Sequence, residues 1–249
     1  MIDRKYLFPS IFTVFLLLVW EFLPYFLNTP IYIFPRFSDV ISAIFQGSNN
    51  DWIQHLIITA TESFFGFFLG SCIGIGIGFL MSKSKNLSTI LLPYVIASNA
   101  IPVIAIAPII IMWFGNGIMS KIAVSAFLCF FPLAINTYKG LNSFSILYQE
   151  LFQTYGASDA QFYRYFRLRN AHLFIFTGLK LSATFSVIGS IVGEIIASDS
   201  GLGYAMLQAV YNLNMPKLWG LVAISCFLGM GAYGVVRILE SFTKIKNKS

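Results

Sequence analysis

The residues able to do chemistry in this chain fall into two groups. One is a polar island at residues 149–169, QELFQTYGASDAQFYRYFRLR, which carries Glu150, Asp159, Arg164, Arg167 and Arg169 between apolar stretches. The other is a sparse set inside those apolar stretches: Glu21, Glu62, Glu194, Arg237 and Glu240, with Ser98 and Asn99 just before Pro102. Neither group is arranged for making or breaking covalent bonds. No serine, histidine and carboxylate arrangement suggests a hydrolase. No G-x-x-x-x-G-K-S/T phosphate loop is present, so this chain is not expected to bind and split a nucleotide by itself. His55 and His172 fall on opposite faces of the expected membrane, so no metal cluster follows from them. The arginines also lack the regular spacing of a voltage sensor. What the island offers is recognition, a charged helical surface that another molecule can grip. An ordinary solvated loop is the alternative.

The island reads as two short helices. Gly156 can take the left-handed conformation that ends the first. Ser158 suits the N-cap of the second, and Gln161, three residues on, completes a capping box with it.

The elements that must hold these residues are membrane spans. Of 249 residues, 57% are hydrophobic and 10% charged, and the mean hydropathy is +0.76. A soluble domain carries about 25% charged residues. The class expected is therefore an all-α polytopic membrane protein. Apolar runs at 6–27, 56–81, 87–114, 121–138, 174–197 and 217–242 suggest about six spans in a single domain over 1–249. A polar connection at 28–55 contains a short helix expected at 38–46. Six spans put both termini on one side. The loops on that side hold Arg4, Lys5, Lys83, Lys85, Lys139, Arg164, Arg167, Arg169, Lys244, Lys246 and Lys248, against Arg36, Lys121 and Lys217 opposite. The excess of basic residues places both termini and the island in the cytoplasm. Cys72, Cys129 and Cys226 all lie in apolar runs and are expected to be small core residues rather than a disulfide framework.

Within the spans, Gly66, Gly70, Gly74 and Gly78 recur every four residues and make one smooth helix face. It is read as a packing seam or as a sliding surface. Pro93, Pro102 and Pro108 interrupt the third span. Pro102 frees a carbonyl, so Ser98 and Asn99 are candidates to line a path. A kink with Asn99 bonded across helices is the other reading. Arg237 and Glu240 suggest a local ion pair. Glu62 suggests a solvated position near the outer boundary. Glu194 suggests either a gate or a buried structural carboxylate.

With these residues in view, the island resembles the cytoplasmic signature of binding-protein-dependent ABC importer permeases: E-A-A, three residues, G, nine residues, I-x-L-P. Glu150, Gly156 and Leu168 match it. Leu151, Phe152, Phe166 and Arg169 depart from it. Residues 101–108 (IPVIAIAP), Trp113-Phe114-Gly115, Ser120-Lys121, Gly178-Leu179-Lys180 and Gly201-Leu202-Gly203-Tyr204 are similar to the branch that carries sulfonates, taurine, nitrate and vitamin precursors.

The resemblance implies a bacterial inner-membrane permease with a coupling loop at about 147–169 between the fourth and fifth spans. It implies that Glu150, Gly156, Ala157, Ser158 and Asp159 couple to a cytoplasmic ABC ATPase dimer, which binds ATP and Mg. No cofactor, metal or enzymatic activity is expected in this chain. The further partners implied are an extracytoplasmic substrate-binding protein and a second permease copy, giving a homodimer. Ser98, Asn99, Pro102, Ser186, Ser190 and Glu194 are the pathway candidates. The stretches 184–189 and 192–194 look like permeases for pyrimidine thiamine precursors or riboflavin. Aliphatic sulfonate, taurine or nitrate is the alternative substrate class, and an ion-coupled secondary transporter is the alternative of another kind.

Overall fold

Three long helices, α3 (Asp51–Lys83), α6 (Ile118–Asn142) and α9 (Leu168–Ile196), pack on one another as the core. The computed structural model describes residues 4–45 and 51–246, and no strand occurs among them. The core helices meet through small residues. A Cβ added to Gly70 would stand 2.5 Å from the Ala126 carbonyl oxygen, and one on Gly74 2.6 Å from that of Phe130. The glycine face of α3 is therefore a seam against α6, closed to anything larger than hydrogen. Gly76, off that face, meets nothing within 4 Å. Cross-helix polar bonds add to the packing. Ser125 Oγ donates to the Ser186 carbonyl at 2.9 Å, and Ser182 Oγ to that of Cys129 at 2.7 Å.

The periphery is tied on by specific contacts. In α1 (Arg4–Phe26), Glu21 accepts from the Ser38 amide at 2.9 Å and the Ser38 hydroxyl at 2.8 Å. It thereby caps α2 (Phe37–Phe45). The sequence suggested 38–46 for this helix, and Gln46 lies outside the described residues. Trp20 donates to the Pro35 carbonyl at 3.1 Å and packs edge-on against Trp219. Trp219 belongs to α11 (Met215–Lys246), which runs beside α9. Glu240 of α11 pairs with Lys180 of α9 at 2.9 Å. The expected Arg237–Glu240 pair is replaced by this interhelical one, because the Lys180 ammonium reaches the carboxylate first.

The proposed third span is two helices, α4 (Lys85–Asn99) and α5 (Val103–Phe114), bent by 101°. Pro93 and Pro108 sit inside them without a break. Pro102, with ψ 122°, caps α5 from outside, and this is where the chain turns. By length and apolarity four described helices can cross a membrane, or five if the bent pair counts as one span. The apolar part of α1, at Ser10–Phe26, is shorter. Of the six expected crossings, four or five thus correspond to described helices of that length and apolarity. The charge comparison at the termini also drew on Arg4, Lys5, Lys244, Lys246 and Lys248, whose side chains lie outside the described residues. Of the three cysteines only Cys129 is buried, while Cys72 and Cys226 are exposed, which corrects their reading as core residues.

Candidate functional site

Two polar assemblies sit at opposite ends of the core. The first is the island. It begins with α7 (Ile146–Thr154), capped by Ser145, and this helix is stopped at Gly156, with φ +72°. Ala157 donates its amide to the Phe152 carbonyl at 3.0 Å and Gly156 to that of Gln153 at 2.9 Å. That pair of bonds is a Schellman stop, which needs the left-handed residue. Ser158 then caps α8 (Asp159–Phe162). Its amide donates to Gln161 Oε1 at 2.8 Å, and its hydroxyl accepts from the Gln161 amide at 3.3 Å. The second helix is not separate, as the sequence suggested. It passes through a π-helical turn, Tyr163–Arg167, straight into α9. No proline or helix-stopping glycine falls in that stretch. The second half of the elbow is consequently a continuous extension of a core helix.

An aromatic cluster closes the elbow. Phe162 stacks on Phe166 at 5.3 Å, and Phe152 meets them at 5.2 and 5.8 Å. Phe144 and Tyr148 complete it. Arg167 fastens it to the bundle. Its Nε donates to the Leu141 carbonyl at 2.7 Å, and one terminal nitrogen donates to Asn142 Oδ1 at 2.5 Å and to the Ser82 carbonyl at 3.3 Å. The guanidinium also lies 5.1 Å from the ring centres of Phe144 and Tyr163. Ser82 and Tyr163 share a further bond at 3.0 Å. Outward on α7 and its C-cap runs an apolar stripe at helical spacing, with Leu147 69% exposed, Leu151 exposed, and Tyr155 83% exposed. Glu150 lies beside the stripe and, with Ser158 and Asp159, is exposed, while Ala157 is half-buried.

The second assembly is buried at the far end. Glu194 is 1% exposed and Glu62 3%. Glu194 Oε1 accepts from Thr59 Oγ1 at 2.6 Å, and Oε2 from the Gly203 amide at 2.6 Å. Thr59 Oγ1 accepts from the Leu202 amide at 2.8 Å, and His55 Nδ1 from the Gly201 amide at 3.0 Å. Three successive amides at the start of α10 (Leu202–Tyr211) are therefore held by side chains of α3 and α9. These are the donors a helix start leaves unsatisfied. Glu62 lies near Glu194, and its Oε2 is buried with no hydrogen-bond partner among the described residues. Lys121, itself buried, is near both carboxyl groups and donates to the Asn116 carbonyl. Burial of Glu62 overturns the solvated position expected for it.

Of the pathway candidates, Ser186, Ser190 and Glu194 share one buried face of α9. Ser190 accepts from Ser63 Oγ at 3.2 Å, and Ser186 Oγ donates to the Ala183 carbonyl at 2.9 Å. Ser98, Asn99 and Pro102 sit apart from them, at the α4–α5 bend. Ser98 Oγ donates to Tyr94 O at 2.7 Å, and Asn99 and Pro102 are exposed. Asn99 makes no cross-helix bond among the described residues. Sequence reasoning singled out neither Arg167 as a fastener nor the His55–Thr59 face. For the latter a signal existed: His55, Thr59, Glu62, Ser63 and Gly66 fall on one helix face. For Arg167 none did, since its acceptors lie 25, 26 and 85 residues away.

Comparison with known proteins fits this architecture. A chain of the MetNI methionine ABC transporter, in inward-facing conformations, superposes with a TM-score of 0.61 over 76% of this chain and 95% of that one, at 19% identity. Among curated proteins, the formylaminopyrimidine transport permease protein ThiX of Halalkalibacterium halodurans is 35% identical over 94% of this chain and 93% of its own. The riboflavin transport system permease protein RibX of Chloroflexus aurantiacus is 30% identical over 92% and 86%. The putative aliphatic sulfonates transport permease protein SsuC of Bacillus subtilis is 29% identical over 86% and 75%. The family profile described as binding-protein-dependent transport system inner membrane component matches residues 70–245. This all-helical chain, with apolar helices long enough to cross a membrane and a helical elbow joined to its core, thus belongs to the permease family of binding-protein-dependent ABC importers.

Proposed function

We propose that this chain forms the translocation path of an importer for a pyrimidine thiamine precursor or riboflavin, and that the elbow is its docking element for the ATPase. One observation carries the docking reading. α7 and its C-cap present Leu147, Leu151 and Tyr155 outward, with Glu150 alongside, on a helix held by Tyr148 and Phe152 against Phe162 and Phe166 of the stretch that leads into α9. An exposed apolar stripe on a short helix fits a groove on a partner. Its rigid joint to a core helix lets a push on the elbow move the bundle. Glu150 is positioned to pair with a basic residue of the ATPase, and Gly156, Ala157, Ser158 and Asp159 shape the tip. The ATP and Mg belong to that partner subunit.

In this reading the elbow and both termini face the bacterial cytoplasm, a binding protein delivers solute at the far end, and two copies of the chain flank the path. Ser98, Asn99 and Pro102 line it at the α4–α5 bend. Ser186, Ser190 and Glu194 serve it from behind, by holding α3, α6, α9 and α10 in register. The substrate reading leans on the permeases named for formylaminopyrimidine and riboflavin. The sulfonate permease at 29% identity keeps sulfonates as a second reading.

Co-purification tests the docking. An ATPase subunit should come down with the intact chain and be lost when residues 149–169 are replaced by a flexible polar linker. Retention of the ATPase, or uptake that follows an ion gradient without ATP, would overturn the proposal. Binding measurements on the cognate soluble receptor decide between pyrimidines and sulfonates.

A further inference from the structure

A groove of about 840 Å³ runs between α9 and α11, with Met206 of α10 at its edge. Val222, Cys226, Met230, Tyr233 and Arg237 line it from α11 at helical spacing. At 1.5 Å per residue their stripe is about 22 Å long. Thr184, Ile188 and Ile191 face it from α9. The groove plays no part in the elbow or in the amide clamp. It has room to spare: a Cβ on Gly229 would meet only Thr184 Cγ2, at 3.8 Å, and one on Gly234 nothing within 4 Å.

Arg237 makes this more than an apolar cleft. It lies within the apolar stretch Met215–Thr243 and forms no ion pair among the described residues. The nearby carboxylate, Glu240, is engaged by Lys180 at 2.9 Å. A cation inside a span is costly and needs a counter-charge or access to the interface. Arg237 stands six residues before Thr243, just ahead of Lys244, Lys246 and Lys248, where the apolar run gives way to basic residues. That is about 9 Å, within reach for a side chain that snorkels toward the headgroup layer. A planar guanidinium binds phosphate through two parallel hydrogen bonds. Basic pockets between spanning helices take anionic headgroups.

We propose that the α9–α11 groove binds one anionic phospholipid, with its phosphate on Arg237 and an acyl chain along the α11 stripe. Most of this lining is aliphatic or sulfur-bearing, with Val187, Ile188, Ile191, Val222 and Met230 among it, which suits an acyl chain beside the single cation. The proposal is independent of how the elbow is used.

The assembled transporter is reconstituted into vesicles of phosphatidylcholine and phosphatidylglycerol, extracted, and weighed by native mass spectrometry. The wild-type permease should retain phosphatidylglycerol in preference to phosphatidylcholine. Arg237→Gln should lose that retention and Arg237→Lys keep part of it. Gly229→Leu should also lose it, with the charge intact, because the groove is filled. Equal retention of the two lipids, or phosphatidylglycerol held undiminished by both Arg237→Gln and Gly229→Leu, would overturn the proposal. So would efficient cross-linking of two permease copies through Cys226, which would put a second copy in the groove.

Discussion

Gly156 gives the most direct route to the elbow. Its φ of +72° lies in the left-handed region, and the stop of α7 depends on it. Space is not the issue, because a Cβ there meets nothing within 4 Å. Any substitution effect inside this chain is therefore backbone strain alone, about 1–2 kcal/mol for an L-residue with a Cβ. That shifts the population of the native bend by about 5–30-fold. Asparagine tolerates the left-handed region better. Uptake by Gly156→Ala should fall several-fold, and Gly156→Asn should recover much of it, with membrane abundance of both at the wild-type level. Gly156→Leu carries the same strain plus bulk at the tip, so any extra loss beyond Ala measures collision with the docked partner. The assay is ATP-dependent uptake with ATPase co-purification, normalised to permease abundance. Uptake by Gly156→Ala and Gly156→Leu equal to wild type would refute the reasoning, since neither the bend nor the tip could then matter.

Two further substitutions probe the supports. Arg167→Lys keeps the charge but loses the fork that reaches Leu141, Asn142 and Ser82. It should loosen the elbow by about 1–3 kcal/mol. The expected readout is faster protease nicking between α7 and α8, with Arg167→Gln faster still, and unchanged nicking would count against the fastener. Glu194→Ala strands the Gly203 amide in a buried site, while the Thr59 hydroxyl keeps the His55 carbonyl at 3.1 Å as acceptor. The stranded amide costs about 1–3 kcal/mol, so the purified permease should melt at lower temperature and α10 should become protease-sensitive. Glu194→Gln, which keeps one acceptor, should fall between, and a melting curve unchanged by Ala would remove the clamp.

The departures from the family signature become intelligible only in three dimensions. Phe152 and Phe166 stand where the pattern has alanine and isoleucine, and they meet at 5.8 Å within one stacked cluster. Arg169 stands where the pattern has proline, and there α8, the π turn and α9 run on without interruption. A proline would have removed a helical donor. Taken one at a time these residues weaken the match, but together they form a self-consistent elbow.

Local rules were enough for much of this protein. An apolar composition with few charges dictates helices in a membrane, because lipid offers backbone groups no other partner. Positive φ at Gly156 and the Ser158–Gln161 box follow from neighbours within a few residues. The glycines at 66, 70, 74 and 78 announce a close helix contact by periodicity alone. What a linear reading could not decide was which distant groups meet. Glu194 reads equally as gate or strut until Thr59, 135 residues away, is seen to hold it. Glu240 reads as the partner of Arg237 until Lys180, 60 residues away, takes it. The angle at Pro102 was equally out of reach. A proline signals that a helix breaks, but the 101° turn goes with α4 packing on α3 and α6 while α5 packs on α6 and α9. Periodicity reports which face a residue occupies, and only the packed bundle decides what that face touches.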